Sequence, residues 1–464
     1  MAVFSIIKLS ELEGAKRIDA EYYKPEYLAL KLKIEKYSSH NLKEIAYITD
    51  GSHEIRSYQE KGVLFLRSQD IFEIGLIVQE PAYISKEEDL TLKRSKPELN
   101  DILVTKTGNV GASLVVDEVF PNCNLPADIA LIRIKNRSFN PYFLATFLNS
   151  RIGRGLIFRE LTGCGRPRVV LDNLKELRIP KLPTDIQNSI ELLIKEVYKQ
   201  KRLSESLYSQ AEDLLLEELG LKDFKPKYKK TYTANLSSAF SAHRIDAEYF
   251  QPAYEEVSKK IKEYPNGFSR LLKHVENVNP NFDPTKYPEQ TFSYVELADI
   301  DFSIGVIHSV NELKGKEAPS RARRMLKEGD VIVSSVEGSL EKVALVDKEY
   351  DGCLASTGFF QFRPLDILPE TLLVLSKTIV LQSQLKKKCS GTILTAVPKE
   401  SLRDIIIPMF PLSTQQKIAS LVQRSHETRR KAKELLEVAK KAVEIAIENN
   451  EKEALDYISK AEEK

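Results

Sequence analysis

Apolar residues along the chain follow two regimes. Short Val- and Ile-rich runs are cut off by Gly, Asn and Pro: "ILVTK", "SLVVD" and "IALIRI" in the first half, "VIVSS", "KVALVD" and "FFQF" in the second. Such punctuated runs predict β-strands. Two long polar stretches instead carry an apolar seam at spacings of four and three. The first runs from about Thr184 to Leu219, with Ile190, Ile194, Val197, Lys201, Ser204, Leu207, Ala211 and Leu214 on its seam. Thr184 suits an N-cap and Gly220 the residue past the C-terminus. The second starts at Ser413 or Thr414, with Ile418, Leu421, Ser425, Thr428, Ala432, Leu435, Ala439, Ala442 and Ala446 on its seam. This heptad spacing with small residues predicts coiled-coil helices, roughly 50 Å and roughly 70 Å long at 1.5 Å per residue.

Each seam is longer than a compact β-rich domain covers, so the pattern pairs the two helices with each other. Antiparallel pairing is the economical arrangement, one helix leading away from a globule and its equivalent running back. The linker "KDFKPKYKKTYTANLSSAFSAH" is long enough to leave parallel pairing open. The expected fold is α+β: two β-rich globules held apart by a two-stranded coiled coil, with pseudo-twofold symmetry.

The two halves repeat each other. "RIDAEYYKPEYLALKLKIEKY" from Arg17 and "RIDAEYFQPAYEEVSKKIKEY" from Arg244 agree at eleven of 21 positions. Tyr27, Leu30, Ile34 and Tyr37 correspond to Tyr254, Val257, Ile261 and Tyr264, one face of a helix. Pro25 and Pro252 suit its first turn. Asp19 and Asp246 are expected to cap short turns at helix ends. Further along, "NDILVTKTGNVGASLVVD" answers "GDVIVSSVEGSLEKVALVD", and "LKELRIPKLPTDIQNSIELLI" answers "LRDIIIPMFPLSTQQKIASLV". The offset stays near 230 residues, so one unit occurs twice: a helix, β-rich segments, a proline-rich hinge and a long helix. The expected boundaries are 1–183 and 244–411 for the globules, 184–220 and 412–464 for the long helices, and 221–243 for a linker.

A chain of 464 residues, 42% hydrophobic and 29% charged, fits a globular protein of several domains. No apolar run is long enough for a membrane helix, and no signal peptide is read at the N-terminus. Four scattered cysteines without metal or disulfide spacing suit the cytoplasm. A net charge of +2 restricts any nucleic-acid footprint to local clusters such as "GCGRPRVV" and "SRARRMLK".

The motifs of catalysis are missing from the sequence. It lacks a Walker A loop, an HExxH and a strand-turn-helix GxGxxG. "NPNF" at Asn279 lacks the second proline of an adenine methyltransferase loop. "NDILVTK" offers Asp101 and Lys106 without the second carboxylate of a restriction nuclease. No cofactor or metal is expected, and the pattern suggests binding or measuring.

In combination, the duplicated "RIDAEYY" opening, "DILVTKTGNVG", "TGCGRPRVVLDNLKELRIPKLP" and "PLSTQQKIASLV" resemble the specificity subunits of type I restriction-modification systems. The resemblance covers essentially the whole chain. It implies two target-recognition domains, each reading half of a bipartite double-stranded DNA site, and helices that fix the gap. It implies no catalysis by the chain itself, two DNA methyltransferase subunits as partners, and restriction/translocase subunits joined through them. Two other readings stay open: a coiled-coil scaffold with two protein-binding globules, and the recognition part of a fused nuclease-methyltransferase.

For DNA contact in the first globule, Arg166, Arg168 and Lys106 are candidate phosphate anchors, and Gly108, Asn109 and Gly111 allow close backbone approach. Arg56, Arg67 and Gln69 are candidate base readers, because Arg and Gln make bidentate contacts to guanine and adenine. In the second, the candidates are Arg321, Arg323, Arg324 and Lys342, with Ser390 and Thr392. The second copy departs from the first: Glu337 stands in its glycine loop, and "CSGTILTAVP" lacks the two arginines of "GCGRPRVV".

Overall fold

The computed structural model describes residues 4–10, 12, 17–54, 57–163, 165–391 and 395–462. The chain forms two compact units of mixed α and β structure. One comprises Met1–Arg202 with Arg429–Lys464, the other Leu203–Thr428.

In the first unit, helix α1 (Pro25–Glu35) opens on its proline and buries Leu30 and Ile34. Four antiparallel strands follow: β1 (Ala46–Asp50), β2 (Ile102–Thr105), β3 (Ser113–Val115) and β4 (Ile129–Ile134), in the order β1-β4-β2-β3. Their side chains alternate between two cores, as period-two geometry requires. Ile102, Val104, Ala130 and Ile132 face one cluster; Leu103, Leu114, Ile129 and Leu131 face the other. Burial on both faces is why these runs read as continuous apolar stretches. Helices α2 (Pro141–Asn149) and α3 (Arg151–Arg159) start on Asn140 and Ser150, whose side-chain oxygens accept backbone N–H groups of the first turn. Gly155 lets α1 press against α3, since a Cβ there would lie 2.3 Å from Leu30 Cδ1.

The proline-rich segment expected as a hinge is a strand. Arg178–Pro180 pairs antiparallel with Ser39–Asn41. It delivers the chain into helix α4 (Thr184–Glu218). Ile186, Ile190, Leu193, Ile194 and Val197 of α4 share a core with Ala432, Leu436, Ala439, Ala442 and Ala446.

The second unit uses the same plan. Helix α5 (Pro252–Lys262) buries Tyr254, Val257 and Ile261. Strands β5 (Val275–Asn277), β6 (Val331–Ser334), β7 (Val343–Leu345) and β8 (Phe359–Pro364) take the order β5-β8-β6-β7, matching the first sheet strand for strand. Helices α6 (Pro369–Lys377) and α7 (Ile379–Lys388) cover it. The second proline-rich segment again forms a strand, Ile406–Pro408 with Phe268–Arg270. Tyr208, Ala211 and Leu215 of α4 share this core with Ile418 and Val422 of helix α8 (Leu412–Glu448). Ser425 Oγ donates to the Ser204 carbonyl at 2.7 Å. A shorter helix, α9 (Glu451–Glu462), completes the chain.

The units differ in their outer layer. The first has a three-stranded sheet of Tyr83–Ile84, Val63–Phe65 and Cys123–Asn124. The second has four strands there: Asn311–Lys314, Thr291–Val295, Leu354–Ser356 and Ala322–Met325.

The seams shift slightly from expectation. Leu215, Val422, Arg429 and Leu436 are buried, whereas Leu214, Leu421, Thr428 and Leu435 are only partly so. A helix at 3.6 residues per turn drifts across a 3.5-residue stripe, and the globular core takes up the neighbouring position.

Candidate nucleic-acid interface

The repeated opening phrase builds the same turn twice. Arg17 donates to both carboxylate oxygens of Asp19, at 2.8 and 3.0 Å, and the Tyr22 N–H donates to Asp19 Oδ1 at 3.1 Å. The guanidinium lies over the Tyr22 ring, 4.5 Å from its centroid, and donates to the Leu161 carbonyl at 2.8 Å. Arg244 does the same with Asp246, at 2.7 and 2.9 Å. The Tyr249 N–H bonds Asp246 Oδ1, the Tyr249 ring lies 4.6 Å from the guanidinium, and the Cys389 carbonyl accepts at 2.8 Å. Leu161 and Cys389 follow the last turns of α3 and α7. Each arginine therefore meets carbonyls at a helix C-terminus, where the helix dipole favours a cation. The arginine hydrogen bonds hold Asp19 and Asp246 below the usual carboxylate range. Both phrases are structural latches.

Beside the first latch, two loops meet at the end of β2. The Val169 N–H donates to the Lys106 carbonyl at 3.1 Å, and Thr107 pairs with Arg168 as an isolated bridge. The glycine loop 106–111 and the basic segment 165–168 thus form one surface. Gly108 and Asn109 are exposed on it. Gly108 has φ 69°, in the left-handed region that favours glycine. Arg166 and Arg168 are exposed, and their guanidinium groups have no hydrogen-bond or ion-pair partner among the described residues. Ser68 adjoins Gly108, which brings the 68–70 turn and exposed Gln69 to the same surface.

Two first-unit assignments need correction. Lys106 is buried, and its Nζ donates to Asp50 Oδ2 at 2.6 Å, so it is a core ion pair rather than a free phosphate anchor. Gly111 is buried against α3, where a Cβ would lie 3.0 Å from Arg154 Nη1, so its missing side chain serves internal packing. Arg67 is half-buried and donates to the Glu80 carbonyl, with Asp70 at 3.8 Å. Arg56 lies outside the described residues.

In the second unit the equivalent loops meet in the same way. The Val397 N–H donates to the Ser335 carbonyl at 2.8 Å, and Val336 pairs with Ala396. Ser390 is exposed and pairs with Ala396; Thr392 lies outside the described residues. The other cations of this unit separate. Arg321 is exposed, while Arg323 is paired with Asp283. Arg324 is a correction: it is buried, its guanidinium donates to the Val278 carbonyl, and burial lowers its pKa to about 10. Strand alternation explains the split, since Ala322–Met325 turns successive side chains to opposite faces. Lys342 is half-buried, donates to the Ile300 carbonyl at 3.2 Å and is pushed down in pKa by burial.

Several residues of these surfaces escaped the sequence. Arg154 of α3 donates to the Val110 carbonyl, to Glu73 Oε1 at 2.8 Å and to Asn109 Oδ1 at 3.3 Å, holding the glycine loop. Gln382 of α7 does this in the second unit through the Leu340 carbonyl at 3.0 Å. Arg94 and His53 are exposed, 3.8 and 3.6 Å from the Asp50 carboxylate that pairs with Lys106. His53 lies three residues from Asp50, but the other contacts join segments tens of residues apart, so nothing in their spacing signalled them. No group of His, Cys, Asp and Glu able to hold a metal occurs among the described residues. No helix among them is long and apolar enough to cross a membrane.

Residues 305–455 match the family described as the type I restriction modification DNA specificity domain. A curated relative, the type I restriction enzyme EcoBI specificity subunit of Escherichia coli, is 30% identical over 137 residues, 30% of this chain and 29% of that protein. Among solved structures, the type I restriction-modification S subunit from M. genitalium matches with a TM-score of 0.40 at 14% identity, over 88% of this chain and 94% of its own. The HsdS subunit from Thermoanaerobacter tengcongensis matches with a TM-score of 0.30 at 16% identity, over 89% and 97%. The match over residues 305–455 and the similarity to the EcoBI specificity subunit agree with the resemblance seen in the repeated motifs.

Proposed function

We propose that this chain is the DNA-recognition subunit of a type I restriction-modification complex. Its regions 1–183 and 244–411 each read one half of a bipartite, asymmetric double-stranded site. One observation carries the reading: both units present the same pair of loops at the end of the same central strand, dressed with different side chains. Val169 bonds Lys106 in one unit and Val397 bonds Ser335 in the other. The first surface carries Arg166, Arg168 and Asn109; the second carries Glu337 and Ser390. A shared frame with unlike tips is what two readers of unlike half-sites require.

The long helices act as the ruler and dock two methyltransferase subunits, through which the restriction/translocase subunits join; the chain contributes no catalysis. Antiparallel pairing is supported by which segments share a core. The early part of α4 packs with the late part of α8, and Ser204 near the middle of α4 bonds Ser425. A 35-residue helix is about 52 Å long, enough to hold readers one helical turn of DNA apart, roughly 34 Å. The test is methylation-site sequencing in cells carrying the whole system. Inserting one helical turn into both α4 and α8 should lengthen the gap of the methylated motif and leave both halves unchanged. An unchanged gap would refute the ruler.

A further inference from the structure

We propose that Glu337 is a base-reading residue of the second unit, accepting a hydrogen bond from the exocyclic amino group of cytosine or adenine in the major groove. The proposal rests on the DNA-recognition reading above. Glu337 is the third residue after β6, as Gly108 is the third after β2, so both hold the same place in equivalent loops. The Glu337 backbone is pinned from several sides. Its N–H donates to the Thr395 carbonyl at 3.0 Å, and the Ser335 N–H and Oγ both donate to the Gly358 carbonyl, at 2.9 and 2.8 Å. The Val336 N–H donates to Ser334 Oγ at 3.1 Å. The Glu337 side chain is half-exposed and has no hydrogen-bond or ion-pair partner among the described residues. A fixed backbone presenting a group with no partner among the described residues is the arrangement a recognition contact needs.

Charge narrows the ligand. An ionised carboxylate only accepts hydrogen bonds, so it is repelled by phosphate oxygens and serves poorly as a backbone contact. In the major groove the donors are cytosine N4 and adenine N6, whereas guanine O6 and N7 and thymine O4 are acceptors. A carboxylate here therefore selects the amino bases and rejects guanine. The first unit has Gly108 at this place, with Asn109 and Arg168 beside it, so its preference differs.

Methylated motifs are sequenced from cells co-expressing the full chain, as wild type, Glu337→Ala or Glu337→Gln, with the methyltransferase and restriction subunits. Wild type should show cytosine or adenine at one position of one half-site, and the base found distinguishes the two amino donors. Glu337→Ala should relax that position alone, with discrimination falling roughly ten- to a hundredfold. Glu337→Gln, which both donates and accepts, should shift it toward adenine. An unchanged motif in both variants, a change in the other half, or loss of the motif altogether would overturn the proposal. If the wild type gives no bipartite motif, the DNA-recognition reading falls and this inference with it.

Discussion

Arg166 and Arg168 offer a clean measurement of phosphate contact. Both are exposed, and neither guanidinium has a hydrogen-bond or ion-pair partner among the described residues. Replacing both with Ala should leave stability unchanged and act only on DNA. Each neutralised phosphate contributes about 0.9 to the slope of log affinity against log salt, so the double variant should lose about 1.8 from that slope. Between 50 and 200 mM salt, a fourfold range, the wild type should therefore lose about 12-fold more affinity than the variant. The weakening should be similar on cognate and scrambled duplexes, because phosphate contacts position without specifying. Fluorescence anisotropy of labelled duplexes with the assembled complex, at several salt concentrations, reads both quantities. A slope equal to that of wild type would show that these arginines do not meet phosphate. A loss confined to the cognate duplex would make them base readers.

Lys106→Met should behave in the opposite way, since Lys106 and Asp50 are each nine-tenths buried in one ion pair. Removing the lysine leaves the buried Asp50 carboxylate only its longer contacts to Arg94 and His53, a loss of up to about 3 kcal/mol that chemical denaturation should register, with the salt slope unmoved. The latches predict an acid dependence. Asp19 and Asp246 have native pKa values depressed by their arginines, so their stabilisation is present above the unfolded carboxylate pKa, about 3.9, and fades as pH falls through the lower native value. Below about pH 4 the wild type should lose stability relative to Asp19→Asn with Asp246→Asn. Thermal melts that run parallel across pH would refute that role.

Much of the frame was legible because it is local and repeated. The 3.5-residue seam marked α4, which begins on Thr184, the residue expected as its cap, since helix periodicity is encoded within a few turns. The Val/Ile runs marked β2, β3, β4 and β6, because strands buried on both faces are apolar throughout. The duplicated phrase marked two equivalent turns, and the Arg–Asp pair that builds each lies within three residues.

What the sequence determined by itself is therefore the order of elements and the recurrence of the opening phrase, both set by neighbours along the chain; the caps expected at Ser413 or Thr414 instead lie inside a helix that begins at Leu412. What only the tertiary structure decided is which cations remain free. Lys106 is consumed by Asp50, 56 residues earlier, and Arg324 by the carbonyl of Val278, 46 residues earlier. A lysine in a strand-end loop and an arginine on a strand look like surface cations until strand pairing brings an acceptor beside them. The pairing of loop 106–111 with Arg168 and Val169 is likewise non-local, and so is the grip of Arg154 on that loop. Burial decides charge availability, because a cation removed from water needs a partner, and only the packed fold says which partner is near.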